Sequence, residues 1–320
     1  MNNSNFTINH PEANINLERV IALATKVEEK LKGRKPDTAV ICGSGWKDLG
    51  SHVENPVKIN MQEVGLPVPQ ATGHGAEIVV GKIGKSEVLV VTGRVHSYDG
   101  WSPKEVTLMV KVIARLGIGC LLITNASGGL ADVNHNYNSD FRIGDLALIT
   151  DILIDPAHLS PLQGPNDDEL GPRFPAMNDI TSPALRKIAR SISNKLGEHS
   201  FDFRAGRYIM NKGPQYESVA TIDNLVKNKM TDFVGMSTVP ELIMAKYFGM
   251  QVLGITLISN LAAGIGGSIP SGEEVVDEGR KVIPRINAFA AALFSESDFI
   301  SEAQKSATKI KETKIYTYKR

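Results

Sequence analysis

The sequence predicts a single α/β domain with a mixed central β-sheet flanked by helices, and three observations carry that reading. Short β-branched apolar runs alternate with segments of period-3.6 apolar pattern, no Pro/Gly/Ser linker or internal repeat divides the chain, and 42% of the 320 residues are hydrophobic. A chain of this length can bury a substantial core.

The elements follow in order. Apolar side chains at Val20, Leu23, Val27 and Leu31 share one helical face over residues 17–31, and Gly33 stands where a stop is wanted. Residues 38–42 form a buried apolar run that opens into Gly43-Ser44-Gly45. Similar runs at 77–80, 88–92, 120–124, 146–150, 208–210, 233–234 and 252–258 predict further strands. Helical patterns cover 103–116, 183–196, 217–230 and 239–248, two of them opening on proline at a first helical position. The last pattern, 273–294, contains Pro284, which predicts a break or kink near Val282. Residues 159–178, dense in Pro, Gly and Asp, read as a functional or interface loop.

Both ends read as peripheral. Residues 1–16 form a polar, Asn-rich N-terminal extension without the basic-then-apolar order of a signal peptide, so the sequon Asn5-Phe6-Thr7 carries no weight. The folded domain is expected over 17–297, and 298–320 as a basic, solvated C-terminal tail, since 301–320 hold six Lys/Arg against two Glu with little periodicity. With 35 basic and 35 acidic side chains, the formal net charge is zero, which argues against nucleic acid or a membrane surface as partner. No run of about 18 apolar residues occurs, so a cytoplasmic protein is expected. Cys42 and Cys120 are read as buried, inert thiols.

Several strands end in small or polar residues. Gly43-Ser44-Gly45 suits a phosphate cradle and equally a bare tight turn. A dinucleotide fingerprint is excluded, because its third glycine would fall on Asp48 and Trp46 would crowd a pyrophosphate. Arg94, His96 and Tyr98 leave the 88–92 strand on one face if extended, offering a guanidinium fork, an imidazole and a phenol; the plain alternative is a polar edge with a solvated arginine. Segments 124–129, 213–217 and 235–241 each read as a turn or as a place where backbone approaches a ligand. Taken together, these strand ends favour one ligand crevice over unrelated turns.

Nine motifs in order carry a resemblance over about residues 17–294. They are Gly43-Ser44-Gly45, Gly73-His74-Gly75, Gly93-Arg94-Val95-His96-Ser97-Tyr98, Thr124-Asn125-Ala126-Ser127-Gly128-Gly129, Gly164-Pro165-Asn166-Asp167, Arg173-Phe174-Pro175, Gly213-Pro214-Gln215-Tyr216-Glu217, the run from Val234 through Met236 and Ser237 to Glu241, and Leu257-Ile258-Ser259-Asn260. The chain resembles the trimeric purine nucleoside phosphorylases of the 6-oxopurine class. That resemblance implies reversible phosphorolysis of inosine, guanosine and their 2′-deoxy forms, a homotrimer, phosphate as co-substrate, and no metal or organic cofactor.

It implies site residues as well. Phosphate would meet Ser44, Arg94, His96, the backbone at Ala126, and Ser237, with His74 closing over it. Ribose would lie against Tyr98 and Met236, with Phe174 donated by a neighbouring subunit, and Tyr208 belongs to the same nucleoside set. Tyr216 would stack on the base, Glu217 would accept from purine N1–H, and Asn260 would bond N7 of the leaving group; His96, Glu217 and Asn260 are the expected catalytic residues. Related methylthioadenosine phosphorylases carry aspartate at the position of Asn260, and that activity or a non-catalytic nucleoside binder is the alternative. The family histidine that reaches the ribose 5′-hydroxyl is replaced here by Gly272.

Overall fold

The computed structural model describes residues 16–70, 74–130, 141–155, 160–166 and 170–319. Residues 1–15 of the N-terminal extension with its sequon, Gly73, Asp167 and part of the 159–178 loop lie outside them.

Among the described residues, nine strands form one mixed sheet in the order β2-β3-β4-β1-β5-β8-β7-β6-β9. Their spans are β1 Thr38–Ile41, β2 Glu54–Asn60, β3 Glu77–Ile83, β4 Ser86–Val91, β5 Cys120–Gly129, β6 Leu146–Leu153, β7 Arg204–Met210, β8 Phe233–Gly235 and β9 Gln251–Leu261. A further β5–β9 pairing closes β5, β8, β7, β6 and β9 into a ring. The length of β5 makes this feasible. Its first residues pair with β1 (Thr38↔Cys120), and its end pairs with β8 (Gly128↔Val234) after β1 has stopped. Strands β1, β4, β5 and β9 run parallel, so their carboxyl ends emerge on one side.

Side-chain alternation splits the core between the two faces. Ala39, Ile41, Leu89, Val91, Leu121 and Ile123 join one cluster, and Val40, Cys42, Val88, Val90, Cys120 and Leu122 join the other. Such strands are buried on both sides, which is why they read as continuous apolar runs. Helices α1 Leu17–Lys30, α2 Pro103–Val106, α3 Leu108–Arg115, α4 Pro183–Ser193, α5 Val219–Lys227, α6 Val239–Tyr247, α7 Gly272–Leu293, α8 Ser297–Lys311 and α9 Lys314–Thr317 complete the described order. Local chemistry sets several starts: Asn16, Ser182, Ser218 and Ser271 each accept a backbone N–H from the first turn.

Three expectations are corrected, and one strand, β2, adds to the predicted runs. The 103–116 helix is divided at Thr107, whose hydroxyl donates back to the Pro103 carbonyl at 2.9 Å, a contact that bends helices. Helix α7 runs unbroken through Pro284, because both Pro284 and Arg280, whose carbonyl loses its donor, lie on the exposed side where water can compensate. Strand β2 carries Pro56 and only weak alternation, a pattern tolerated because it is an edge. The C-terminal segment is packed rather than solvated: Phe299, Ala303, Ser306, Ala307 and Ile310 of α8 and Ile315 of α9 are buried. Its positive charges occupy the outer face of an amphipathic helix.

Candidate active site

The carboxyl ends of β1, β4, β5 and β9, together with the end of β8 and the start of α7, enclose a cavity of about 960 Å³. Ser44, His74, Arg94, His96, Ala126 and Ser237 line it, as do Tyr98, Tyr216, Glu217, Met236 and Asn260. Eleven residues from motifs spread over more than 200 positions thus converge.

The loop after β1 sits tightly against its neighbours. A Cβ on Gly43 would collide with the Thr124 carbonyl, and the Gly43 N–H donates to Thr124 Oγ1 at 3.0 Å. Gly45, at φ 83°, packs on α7, where a Cβ on Gly279 would lie 2.8 Å from the Gly45 Cα. Trp46, expected to crowd a pyrophosphate at this loop, is turned into the core.

Arg94 is buried, and its guanidinium is held from several sides. NH1 donates to Thr238 Oγ1 at 2.7 Å and Ser237 Oγ at 3.2 Å; NH2 donates to the carbonyls of Ile41 at 3.1 Å and Thr124 at 2.5 Å. Glu241, itself 2% exposed, places Oε2 3.5 Å from NH1. Burial pushes the Glu241 carboxyl up, against the pull of Arg94. Both terminal nitrogens of the expected open fork are therefore committed within the protein, and Nε is the buried guanidinium atom left without a partner. What Arg94 offers the cavity is its positive charge.

The two histidines are neutral bases. His74 Nδ1 accepts the Arg94 backbone N–H at 3.2 Å, so its neutral tautomer carries the proton on Nε2. Burial, with the nearby Arg94 charge, lowers His74 to about 4. His96 is lowered to about 2 by burial, His74 and Arg94. Its ring stands edge-on to His74 at 4.8 Å and stacks on Tyr98 at 4.7 Å. Asp99 Oδ2 is 3.9 Å from His96 Nδ1, beyond hydrogen-bond reach. Strand β4 ends at Val91, and Tyr98 reaches the cavity through a 3₁₀ turn, Ser97–Asp99, rather than along an extended strand. Burial raises the Tyr98 phenol to about 12.

At the far side stand the polar groups suited to a base edge. Helix α5 begins two residues later than the periodicity suggests, with Ser218 as its cap, which leaves Glu217 outside the helix. Asn211 Nδ2 donates to Glu217 Oε1 at 3.0 Å and to the Gln215 carbonyl at 3.1 Å, holding that carboxylate. Asn260 is buried on β9, with Oδ1 so near Gly128 that a Cβ there would sit 2.9 Å from it. Gly213, at φ 69°, lets Met236 Sδ and Tyr98 close within 2.8 and 3.2 Å of the Cβ it lacks.

Tyr208, expected at the nucleoside, is not brought to this cavity, and Phe174, expected from a neighbouring subunit, lies apart from it in its own chain. Tyr208 is fully buried beneath β8, where its hydroxyl blocks any Cβ at Gly235; it supports the wall from behind, because β7 pairs with β8 there. Phe174 is 88% exposed and lines a separate, mainly apolar cavity of about 530 Å³ with Ile154, Pro240 and Ile243. Asn125, Asn211, Thr238 and Glu241 were missed as supports. Asn125, Thr238 and Glu241 lay inside quoted motifs but touch other residues, and no local pattern marks Asn211 as the partner of Glu217. At α7, Ser271 and Gly272 line the cavity, and a Cβ on Gly272 would meet open space.

Among the described residues, no group of three His, Cys, Asp or Glu side chains could hold a metal ion. No helix of the described residues is long and apolar enough to cross a membrane. Cys42 and Cys120 are free and buried, and burial pushes both thiols up to about 12, where they are poor nucleophiles.

The phosphorylase superfamily family model matches residues 37–295. Purine nucleoside phosphorylase 1 of Geobacillus stearothermophilus is 39% identical over 259 residues, covering 81% of this chain and 90% of that protein. The Schistosoma mansoni purine nucleoside phosphorylase structure with inosine superposes with a TM-score of 0.79 at 30% identity, covering 88% of this chain and 97% of the other. The same enzyme with adenosine gives 0.79, with 88% and 98% covered. With the cavity built from the strand ends that carry the nine motifs, the chain belongs to the purine nucleoside phosphorylase family of the phosphorylase superfamily.

Proposed function

We propose that the protein phosphorolyses 6-oxopurine nucleosides, inosine and guanosine with their 2′-deoxy forms, to the free base and the pentose 1-phosphate. The observation that carries this is the division of one cavity into an anion end, built on Ser44, Arg94, His96 and Ser237, and a base end, built on Asn211-held Glu217 and Asn260.

Cleavage of the glycosidic bond puts positive charge on the sugar and negative charge on the departing purine, and both must be stabilised in the same transition state. Phosphate, held by Ser44, Arg94, His96, the Ala126 backbone and Ser237 under His74, offsets the first and attacks the anomeric carbon. Neutral histidines donate to it without adding a competing charge. Tyr98 and Met236 wall the ribose, Tyr216 covers the base, and Asn260 donates to or accepts from the N7 and 6-oxo edge. The Glu217 carboxylate accepts N1–H, a proton that adenine lacks. A site built to bond one edge discriminates by about 10⁴ when a buried partner is left unpaired.

Adenosine phosphorolysis is the second reading, and the Schistosoma mansoni complex with adenosine is the observation in its favour. Methylthioadenosine turnover has the open space at Gly272 in its favour. In this reading the enzyme is a cytoplasmic homotrimer that takes Phe174 from a neighbouring subunit, and phosphate is its co-substrate, with no metal or organic cofactor. Purified protein should release hypoxanthine from inosine only when phosphate is added. Failure to do so at high enzyme concentration sinks the reading, and faster turnover of adenosine or methylthioadenosine would transfer it to a 6-aminopurine substrate.

A further inference from the structure

Thr238 has the backbone least suited to its side chain of any residue beside the cavity. It lies at φ 78° and ψ −41°, where a β-branched residue is an outlier. The Val239 N–H donates to the Ser237 carbonyl at 2.9 Å across it, closing a γ-turn of the strained, positive-φ kind. Glycine would relieve that strain, and strain of this sort persists where surrounding contacts over-determine it.

The contacts are those of one hydroxyl. Thr238 Oγ1 accepts from Arg94 NH1 at 2.7 Å and from Asn125 Nδ2 at 2.8 Å, and it lies 3.0 Å from Ser237 Oγ. A hydroxyl has two lone pairs and one proton. Guanidinium and amide N–H groups only donate, so they occupy both lone pairs and direct the Thr238 proton to Ser237. Ser237 Oγ then accepts from Thr238 and from Arg94 NH1 at 3.2 Å. Both of its own lone pairs are filled, and its proton is the one function left, with the cavity in front of it and the Tyr208 hydroxyl behind.

We infer that Thr238 is a positioning residue of the anion site: its single hydroxyl orients the Arg94 guanidinium and makes Ser237 an obligate donor to an unprotonated oxygen of the bound oxyanion. This rests on the phosphorolysis reading. Glu241, 3.5 Å from the same NH1, and the carbonyls of Ile41 and Thr124 also hold the guanidinium, whereas Thr238 alone directs the proton of Ser237.

The test is the phosphate dependence and the inosine dependence of turnover in wild type, T238V, T238G, T238S and S237A. T238V keeps the shape and the strain but loses the hydroxyl; T238G loses both; T238S keeps the hydroxyl. The expected result is a phosphate KM raised roughly 10- to 100-fold in T238V, with the inosine KM within about threefold. T238S should stay within about threefold of wild type for both substrates, and T238G should show the raised phosphate KM even where its Tm equals or exceeds wild type. If T238V does not fold, T238G carries the comparison. A wild-type phosphate KM in T238V or T238G, or an equal loss in T238S, overturns the inference. Should S237A alone raise the phosphate KM, the proton relay falls while the phosphate site stands; a wild-type enzyme indifferent to phosphate removes both.

Discussion

Glu217 and Asn260 are separated by 43 positions in the chain yet line one cavity, and each is held by a neighbour: Glu217 by Asn211, Asn260 by the close backbone at Gly128. Side chains fixed in this way need little reorganisation as charge develops on the base. Asn260→Ala and Glu217→Ala should each lower kcat/KM for inosine by at least about 10²-fold, with the circular dichroism spectrum unchanged. Turnover near wild type in either variant would remove that residue from the base end. The buried histidines make a second prediction. Their folded-state values lie at about 4 for His74 and about 2 for His96, below the 6.5 of a free imidazole. Below pH 6.5 the unfolded chain binds protons that the folded state refuses, so stability is present above that pH and is lost as pH falls towards 4. Without phosphate, Tm should fall between pH 7 and pH 4.5, and His74→Gln should flatten the slope; a slope identical to wild type would count against the buried neutral imidazole.

Elements explain how the loops keep their places. The loop after β1 leans on α7 through the contact between Gly45 and Gly279, so the proposed anion end is braced on the helix that opens at Gly272. In Gly279→Ala the new methyl must displace backbone at Gly45, which argues for a raised phosphate KM at nearly constant inosine KM. Equal changes in both would show a general loss of packing instead. The C-terminal helix belongs to the same argument. Phe299 is fully buried and meets Phe294 edge-on at 5.6 Å. Phe299→Ala should cost about 3–5 kcal/mol of stability, read as a lower urea midpoint. An unchanged midpoint would mean that α8 does not contribute to the folded unit. Periodicity missed this helix because its stripe is built largely from Ala, Ser and Ile between lysines, a pattern that reads as polar until its partner surface is present.

At the scale of the whole molecule, a second feature outside the central cavity is the apolar hollow around Phe174, Ile154, Pro240 and Ile243. Met210 and Val239 line it too, so it borders the end of β7 and the start of α6, the helix that directly follows Ser237 and Thr238. An exposed Phe174 beside such a surface fits the proposed donation of this ring to a neighbouring copy. Light scattering should return three times the chain mass, and Phe174→Ala should raise the nucleoside KM more than the phosphate KM. A monomer with full activity would dismiss the shared site.

Much of this was legible in the order of residues. The eight apolar runs that mark strands, the helix caps at Ser182 and Pro183, and the motifs bearing Arg94, His96, Glu217 and Asn260 depend on local periodicity or on short strings, and both survive translation into one dimension. Strand β2, the continuity of α7 through Pro284 and the docking of α8 were decided by tertiary context, because each depends on which side faces water, whereas the division at Thr107 follows from its own hydroxyl bond to Pro103. The same holds for the support of the site. Asn211 became the keeper of Glu217, Tyr208 moved behind the wall, and Arg94 spent its terminal nitrogens on Ile41, Thr124, Ser237 and Thr238. A sequence by itself determined which chemistry this chain carries, since residue types and their order are written in it; which donors remain free to use was decided only by folding, since hydrogen bonds are saturated between residues that meet only in three dimensions.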